Sequence, residues 1–210
     1  MKTATRAILI RPDSGAEIGT GHVMRMLALA QGWIARGGEV FLHGDVPPAL
    51  ASRLAGDGVQ VTPLRSQRGS ADDMAETLAC ARDCGAAWLA LDGYHFAEGF
   101  QSVARRAGLR VLFVDDYAHA GGYVADLVLN QNFSARTDMY ARRGPQTRLL
   151  LGPQYVLLRK EFAEWRSRQR EVRTPASRML VTLGGGDAAN LTGALLTWLA
   201  ASQREALEIQ

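Results

Sequence analysis

Lysine is almost missing from this chain of 210 residues: Lys2 and Lys160 are the only two among 24 positive side chains. Arginine supplies the rest, and against 21 acidic residues the formal net charge is +3. The arginines are scattered, with short pairs such as Arg105-Arg106 and Arg142-Arg143. No basic stripe is interleaved with aromatics, so nucleic acid is not expected as a partner. Small anionic molecules suit the balance. Cysteine is scarce too. Cys80 and Cys84 stand four apart, on one face of a helix, without further ligands at metal spacing and poorly placed for a disulfide. They are read as reduced thiols. No apolar run reaches the roughly 18–20 residues that cross a bilayer, which excludes a membrane-spanning helix. No signal-like segment precedes the first strand-like run, so a cytoplasmic location is expected. What remains, 47% hydrophobic and 21% charged, is an ordinary globular composition. The length suits one full core and part of a second.

Strand-like and helix-like segments alternate, which predicts α/β layers around a mostly parallel sheet. Apolar runs predict strands at 7–10, 39–43, 59–62, 87–92, 109–115 and 126–130. Helical patterns fall at 24–36, from Pro47-Pro48 to Gly56, at 71–84 and at 98–107. These make a complete Rossmann-like domain over 1–150. A connector over 151–177 carries a helical stretch, 159–170, and a linker. A second strand, glycine loop and helix (179–183, 184–187, 188–201) open another domain over 178–210. One such unit cannot cover its own sheet, so this second domain is expected to be truncated or completed by another chain. A homodimer covering the open edge is one way to do that.

The most informative stretch is the loop between the first strand and first helix. Gly19, Thr20 and Gly21 precede the helix, and His22 follows at its first turn. Glycine admits close backbone approach, and a helix N-terminus offers unpaired N–H groups to a phosphate. An imidazole at the lip of a phosphate cradle points to chemistry on a nucleotide-linked or phosphorylated substrate. Asp13 and Ser14 follow a strand C-terminus, where α/β sheets bind ligands; turn formation is the equal alternative. Arg25 is expected to pair with an acid on its own helix more readily than with substrate. Asp92 and Asp115 end adjacent strands and could instead cap loops or pair with Arg11. Asp115-Asp116 is not read as a metal site. His43, His95 and His119 lack partners at readable spacing; His95 is nearest the cleft, with a surface position expected. Trp33, Trp88, Trp165 and Trp198 are read as packing residues.

Six ordered motifs carry a family resemblance. They are Arg11, Asp13, Ser14, Ile18, Gly19, Gly21, His22 and Arg25; Leu91-Asp92-Gly93-Tyr94; Asp115-Asp116; Leu129-Asn130-Gln131-Asn132; Gly152, Tyr155, Leu157, Arg159, Glu161 and Phe162; and Gly184-Gly185-Gly186-Asp187-Ala188-Ala189-Asn190-Leu191. In these the chain resembles the UDP-sugar hydrolases of pseudaminic acid biosynthesis, a pathway of flagellin glycosylation. These are relatives of the MurG-like glycosyltransferases of the GT-B fold. The resemblance implies hydrolysis of UDP-2,4-diacetamido-2,4,6-trideoxy-β-L-altropyranose at the anomeric carbon, with no metal or cofactor required. It implies that His22 orients or deprotonates the attacking water, with Arg11, Asp13, Ser14, Gly19, Thr20, Gly21, Arg25, Asp92 and Tyr94 around the sugar nucleotide. Tyr94 would border the sugar. Gly185, Gly186, Asp187 and Asn190 would begin the nucleotide half of the cleft. The family's acidic ribose-binding residue lies beyond the matched stretch. A glycosyltransferase of the same fold and a non-catalytic sugar-nucleotide-binding fragment are the alternative expectations.

Overall fold

The short apolar runs of this sequence are buried from two sides, as strands of a parallel sheet must be. The structure is a computed structural model that describes residues 7–14, 19–169, 174, 178–183, 187, 189–202 and 208–209. Strand β1 (Ala7–Pro12) leads to helix α1 (Gly21–Ile34), then β2 (Glu39–His43), α2 (Pro48–Gly56) and β3 (Val59–Thr62). Helix α3 (Ala71–Asp83), β4 (Ala86–Asp92), α4 (Glu98–Arg106), β5 (Arg110–Val114), β6 (Leu127–Asn130) and β7 (Arg148–Leu151) follow. The seven strands form one sheet in the order β3-β2-β1-β4-β5-β6-β7, and every pairing is parallel.

Strand periodicity divides the core into two layers. Ile8, Ile10, Val40, Leu42, Ala90, Leu112 and Val114 face α1 and α2, meeting Val23, Met26, Leu27, Leu50 and Leu54. Leu9, Leu89, Leu91, Val111 and Phe113 face the opposite way, meeting Met74 and Ala81 of α3 and Phe100 and Ala104 of α4. Helices change face between the β1–β2 side and the β4–β5 side. The strand order therefore reverses between β1 and β4, and that crevice is where open α/β sheets take ligands.

Strand β7 was not expected; the last strand predicted in this domain is 126–130. Strand β7 pairs with β6 over Leu127↔Arg148 to Asn130↔Leu151, so the sheet runs one residue past the expected boundary at 150. The helix expected over 159–170 is a 3-10 turn at Lys160–Trp165, with most of its residues exposed. In the second unit the strand and helix are shorter than expected: strand β8 (Arg178–Met179) pairs in parallel with β9 (Glu208–Ile209), and helix α5 spans Leu191–Ala201. Gly184, Gly185, Gly186 and Ala188 lie outside the described residues. Trp165 and Trp198 are exposed rather than packed. No helix among the described residues is long and apolar enough to cross a membrane.

Candidate active site

Alternation along β4 decides where its last residue points. Leu91 packs into the α3–α4 layer, so Asp92 faces α1. There its Oδ1 lies 2.7 Å from His22 Nδ1. The same carboxylate takes a fork from Arg25, with Nε to Oδ2 at 2.9 Å and Nη2 to Oδ1 at 2.5 Å. Arg25 reaches on to Asp116, Nη1 to Oδ1 at 2.6 Å. Its Nη2 also stands 3.2 Å from His22 Nδ1. Both nitrogens are directed at the one oxygen of Asp92, so Nδ1 carries the proton and donates. That fixes the tautomer of the neutral ring, in which Nε2 is the acceptor. Burial works against the Arg25 charge, but its bonds to Asp92 and Asp116 outweigh burial and raise its pKa above the ordinary arginine value. Arg25 is therefore a permanent cation between two carboxylates. Its expected partner on its own helix is replaced by the ends of two other strands.

Two glycines shape the approach. Gly19 holds φ +76, a conformation costly for other residues, and a Cβ at Gly19 or Gly21 would meet no protein atom within 4 Å. Helix α1 begins at Gly21, earlier than the Met24 of the sequence reading, so His22 lies in the first turn. The side chain of Thr20 makes no capping bond. Gly93 has a different reason: a Cβ there would lie 2.3 Å from Asp13 Cγ. The β1 and β4 ends approach that closely because Asp13 N donates to Asp92 O at 2.7 Å. Asp13 is buried, and its Oδ2 holds His95 Nδ1 at 2.6 Å. His95 thus has a firm partner, although its ring is exposed as expected. Ser14 is buried and its hydroxyl donates to the Asp45 carbonyl.

Arg11 is a correction. Expected near substrate, or paired with Asp92 or Asp115, it is 1% exposed and binds Asp73 of α3. Nε meets Oδ1 at 2.9 Å and Nη2 meets Oδ2 at 2.7 Å. Arg11 follows Ile10 on the strand, so it faces α3 while Asp92 faces α1; the pairing with Asp92 is forbidden by the pleat. The Asp187 carboxylate is likewise committed: it accepts from Leu191 N and Thr192 N, both at 2.8 Å, and caps α5. Asn190 precedes that helix in the left-handed conformation, φ 49. Gly185 and Gly186 lie outside the described residues.

The loop after β5 joins Asp115, for which loop capping was one expectation, to side chains the sequence did not pair with it. Asp115 is buried and gathers four donors: Tyr117 N and Ala118 N at 3.1 Å, His119 Nδ1 at 3.0 Å and the Tyr123 hydroxyl at 2.6 Å. Burial alone would raise the Asp115 carboxyl, but the bonds from His119 and Tyr123 outweigh it and hold it below its ordinary 3.8. Burial alone would lower His119, but Asp115 outweighs it and raises the imidazole above 6.5. The lowered carboxyl stabilises the fold above its unfolded value, and that stabilisation is lost as pH falls through the folded one. The raised imidazole stabilises below its unfolded value, and that is lost as pH rises through the folded one. The pair is at full strength from about pH 4 to about pH 6.5. Urea unfolding should therefore show His119→Ala most destabilised against the parent near pH 5.5, the gap narrowing steadily by pH 9. A gap constant with pH would refute the linkage.

Tyr94, 45% exposed, stands edge-on to His22 with ring centroids 4.9 Å apart. Its hydroxyl donates to Asp116 Oδ2 at 3.4 Å. Burial first, then the Asp116 charge, pushes the phenol pKa up, so it stays a donor at neutral pH. Among the described residues no group of His, Cys, Asp and Glu could hold a metal ion. The two cysteines are free thiols lining a separate cavity of about 660 Å³ between α3 and β2–β3. Burial pushes both thiols up, so neither is an activated nucleophile.

No known protein-family model matches the chain. It is 25% identical over 187 residues to the UDP-2,4-diacetamido-2,4,6-trideoxy-beta-L-altropyranose hydrolase of Campylobacter jejuni, covering 88% of this chain and 62% of that protein. It is 24% identical over 205 residues to the uncharacterized protein MJ1062 of Methanocaldococcus jannaschii, covering 94% of this chain and 40% of that one. The chain thus spans between two fifths and two thirds of the length of these relatives. Among solved structures it resembles Acinetobacter baumannii MurG, with TM-score 0.57 and 16% identity over 98% of this chain and 60% of that one. It resembles the spinosyn rhamnosyltransferase SpnG, solved with thymidine diphosphate, equally well: TM-score 0.57, 18% identity, 98% and 64%. By sequence the chain is similar to the Campylobacter hydrolase, and by fold it stands with the GT-B glycosyltransferases of which MurG is one.

Proposed function

We propose that this chain carries the sugar-side half of a UDP-sugar hydrolase. The substrate is a UDP-linked 2,4-diacetamido-2,4,6-trideoxyhexose, and the products are UDP and the free sugar of a nonulosonic (pseudaminic) acid pathway. The observation that carries the reading is the His22–Asp92–Arg25 constellation at the β1/β4 crevice. Asp92 presents Nε2 of His22 as an acceptor, and Arg25 balances the Asp92 charge. In the reaction His22 Nε2 takes a proton from water as the water oxygen bonds to the anomeric carbon. The bond from that carbon to the diphosphate oxygen breaks, and its electron pair leaves on UDP. Asp92 stabilises the imidazolium so formed. The open backbone around Gly19 and Gly21 gives the diphosphate a place at the α1 N-terminus, with N–H groups meeting the charge as it develops. The nucleoside falls to the second unit, which begins near residue 178. The similarity to the Campylobacter hydrolase supports the choice of water and of the substrate.

A glycosyltransferase reading stands beside it, favoured by the fold neighbours; an acceptor hydroxyl then replaces the water and everything else is kept. One assay separates the two. UDP release from the diacetamido-trideoxyhexose nucleotide is measured with and without added acceptor sugar. Hydrolysis predicts release without acceptor and a fall of about 10²–10⁴ in His22→Ala. Release only with acceptor turns the assignment to transfer. Parent-like release by His22→Ala removes the base from the mechanism.

A further inference from the structure

Tyr117 is 57% exposed, belongs to neither core layer, and lies with its ring centroid 5.4 Å from that of Tyr94 at a tilt of 38°. His119 stands beneath both, at 5.5 Å from Tyr94 and 5.6 Å from Tyr117. An aromatic ring left half in water costs contacts it would make in the core, so its position needs a cause.

The cause is built into the loop. Ala118, between Tyr117 and His119 in the sequence, holds φ 62, a conformation costly for a residue with a Cβ that persists only where the surroundings impose it. Asp115 imposes it with the backbone N–H bonds of Tyr117 and Ala118 and the side-chain bonds of His119 and Tyr123. Asn130 and Asn132 pin the next link by donating to the Asp116 carbonyl at 3.2 and 2.9 Å. The chain is held in a strained turn whose product is an outward Tyr117 ring beside Tyr94. Tyr94 in turn abuts the imidazole of His22.

We propose that Tyr94 and Tyr117 form a saccharide platform: an aromatic surface on which the apolar C–H face of a pyranose lies. The proposal rests on the sugar-nucleotide reading above only for which sugar is bound. The platform starts at the imidazole, so what lies on it is the part of the substrate nearest the reacting bond. In a sugar nucleotide that part is the pyranose; the uracil is a diphosphate away. A ring rich in C–H groups, as a 6-deoxy sugar is, suits a surface whose exposed faces are aromatic carbon. Tyr117 becomes a specificity-determining residue.

The test uses this chain and a methyl 6-deoxyhexopyranoside, with no nucleotide present. Saturation-transfer NMR reads contact with the sugar C–H face, and titration gives Kd. An aromatic contact worth about 0.5–1.5 kcal/mol corresponds to a roughly twofold to thirteenfold rise in Kd for Tyr117→Ala, with Tyr117→Phe near the parent. Tyr117 is a surface residue, and a circular dichroism melt checks that each variant folds. Parent-like binding by Tyr117→Ala overturns the platform, and so does absence of transfer to the parent. UDP release is measured separately. Release without Tyr117-dependent saccharide contact sinks the platform and leaves the hydrolase. Saccharide contact without release under any condition sinks the hydrolase and leaves the platform.

Discussion

Asp73→Ala is expected to lose about 3–5 kcal/mol of stability, a large part of the roughly 5–15 kcal/mol a domain possesses. Asp73 takes both arms of the Arg11 guanidinium beneath α3, and neither side chain reaches water. Removing the carboxylate leaves a buried cation with the Pro12 carbonyl, the Phe96 ring at 5.1 Å and the Asp13 carboxylate no nearer than 4.0 Å. It also strips an acceptor from Gly69 N and from the Thr77 hydroxyl. Arg11→Met should cost less, because the Asp73 carboxylate left behind keeps those two donors. The double variant should be no worse than Asp73→Ala, since the stranded cation is gone. Urea midpoints for the three proteins decide it. If Arg11→Met were the more damaging, the energetic weight would lie in the packing of the arginine stem.

The second large effect is on turnover. Asp92→Asn should lower UDP release about 10²–10⁴-fold while the fold survives. The amide is nearly isosteric, but its nitrogen can donate to His22 Nδ1 and so favour the tautomer that protonates Nε2. It also removes the negative charge that balances an imidazolium, and it leaves Arg25 paired with Asp116 alone. The loss should appear in kcat rather than KM. A variant whose kcat is untouched would mean that the orientation of His22 has no part in catalysis.

Much of this was legible in the sequence. The first six strands stand out as apolar runs because parallel strands bury both faces. Strand β7 escaped because it lies at the sheet edge and runs directly into Gly152-Pro153. The Gly19–His22 loop is local in sequence and was readable. The partners of His22 and Arg25 were not, because they lie 67 to 91 residues away. The pleat held the missing information: once Leu91 is assigned inward to the α3 layer, Asp92 must face α1. The same rule, applied to Ile10 and Arg11, forbids the Arg11–Asp92 pair. Tyr117 could not have been found this way, since its position depends on the Asp115 cluster and on one left-handed alanine.

Arg25 joins helix α1 to the ends of two strands made much later in the chain, with Asp116 lying 91 residues after it. During synthesis from the N-terminus, α1 and β1 therefore emerge well before the residues that orient the imidazole. A nascent chain that has not yet delivered β4 can pair β1 with β2, but it lacks the Asp92 carboxylate that orients His22. Competence for chemistry arrives late and in one step, when the centre of the sheet closes.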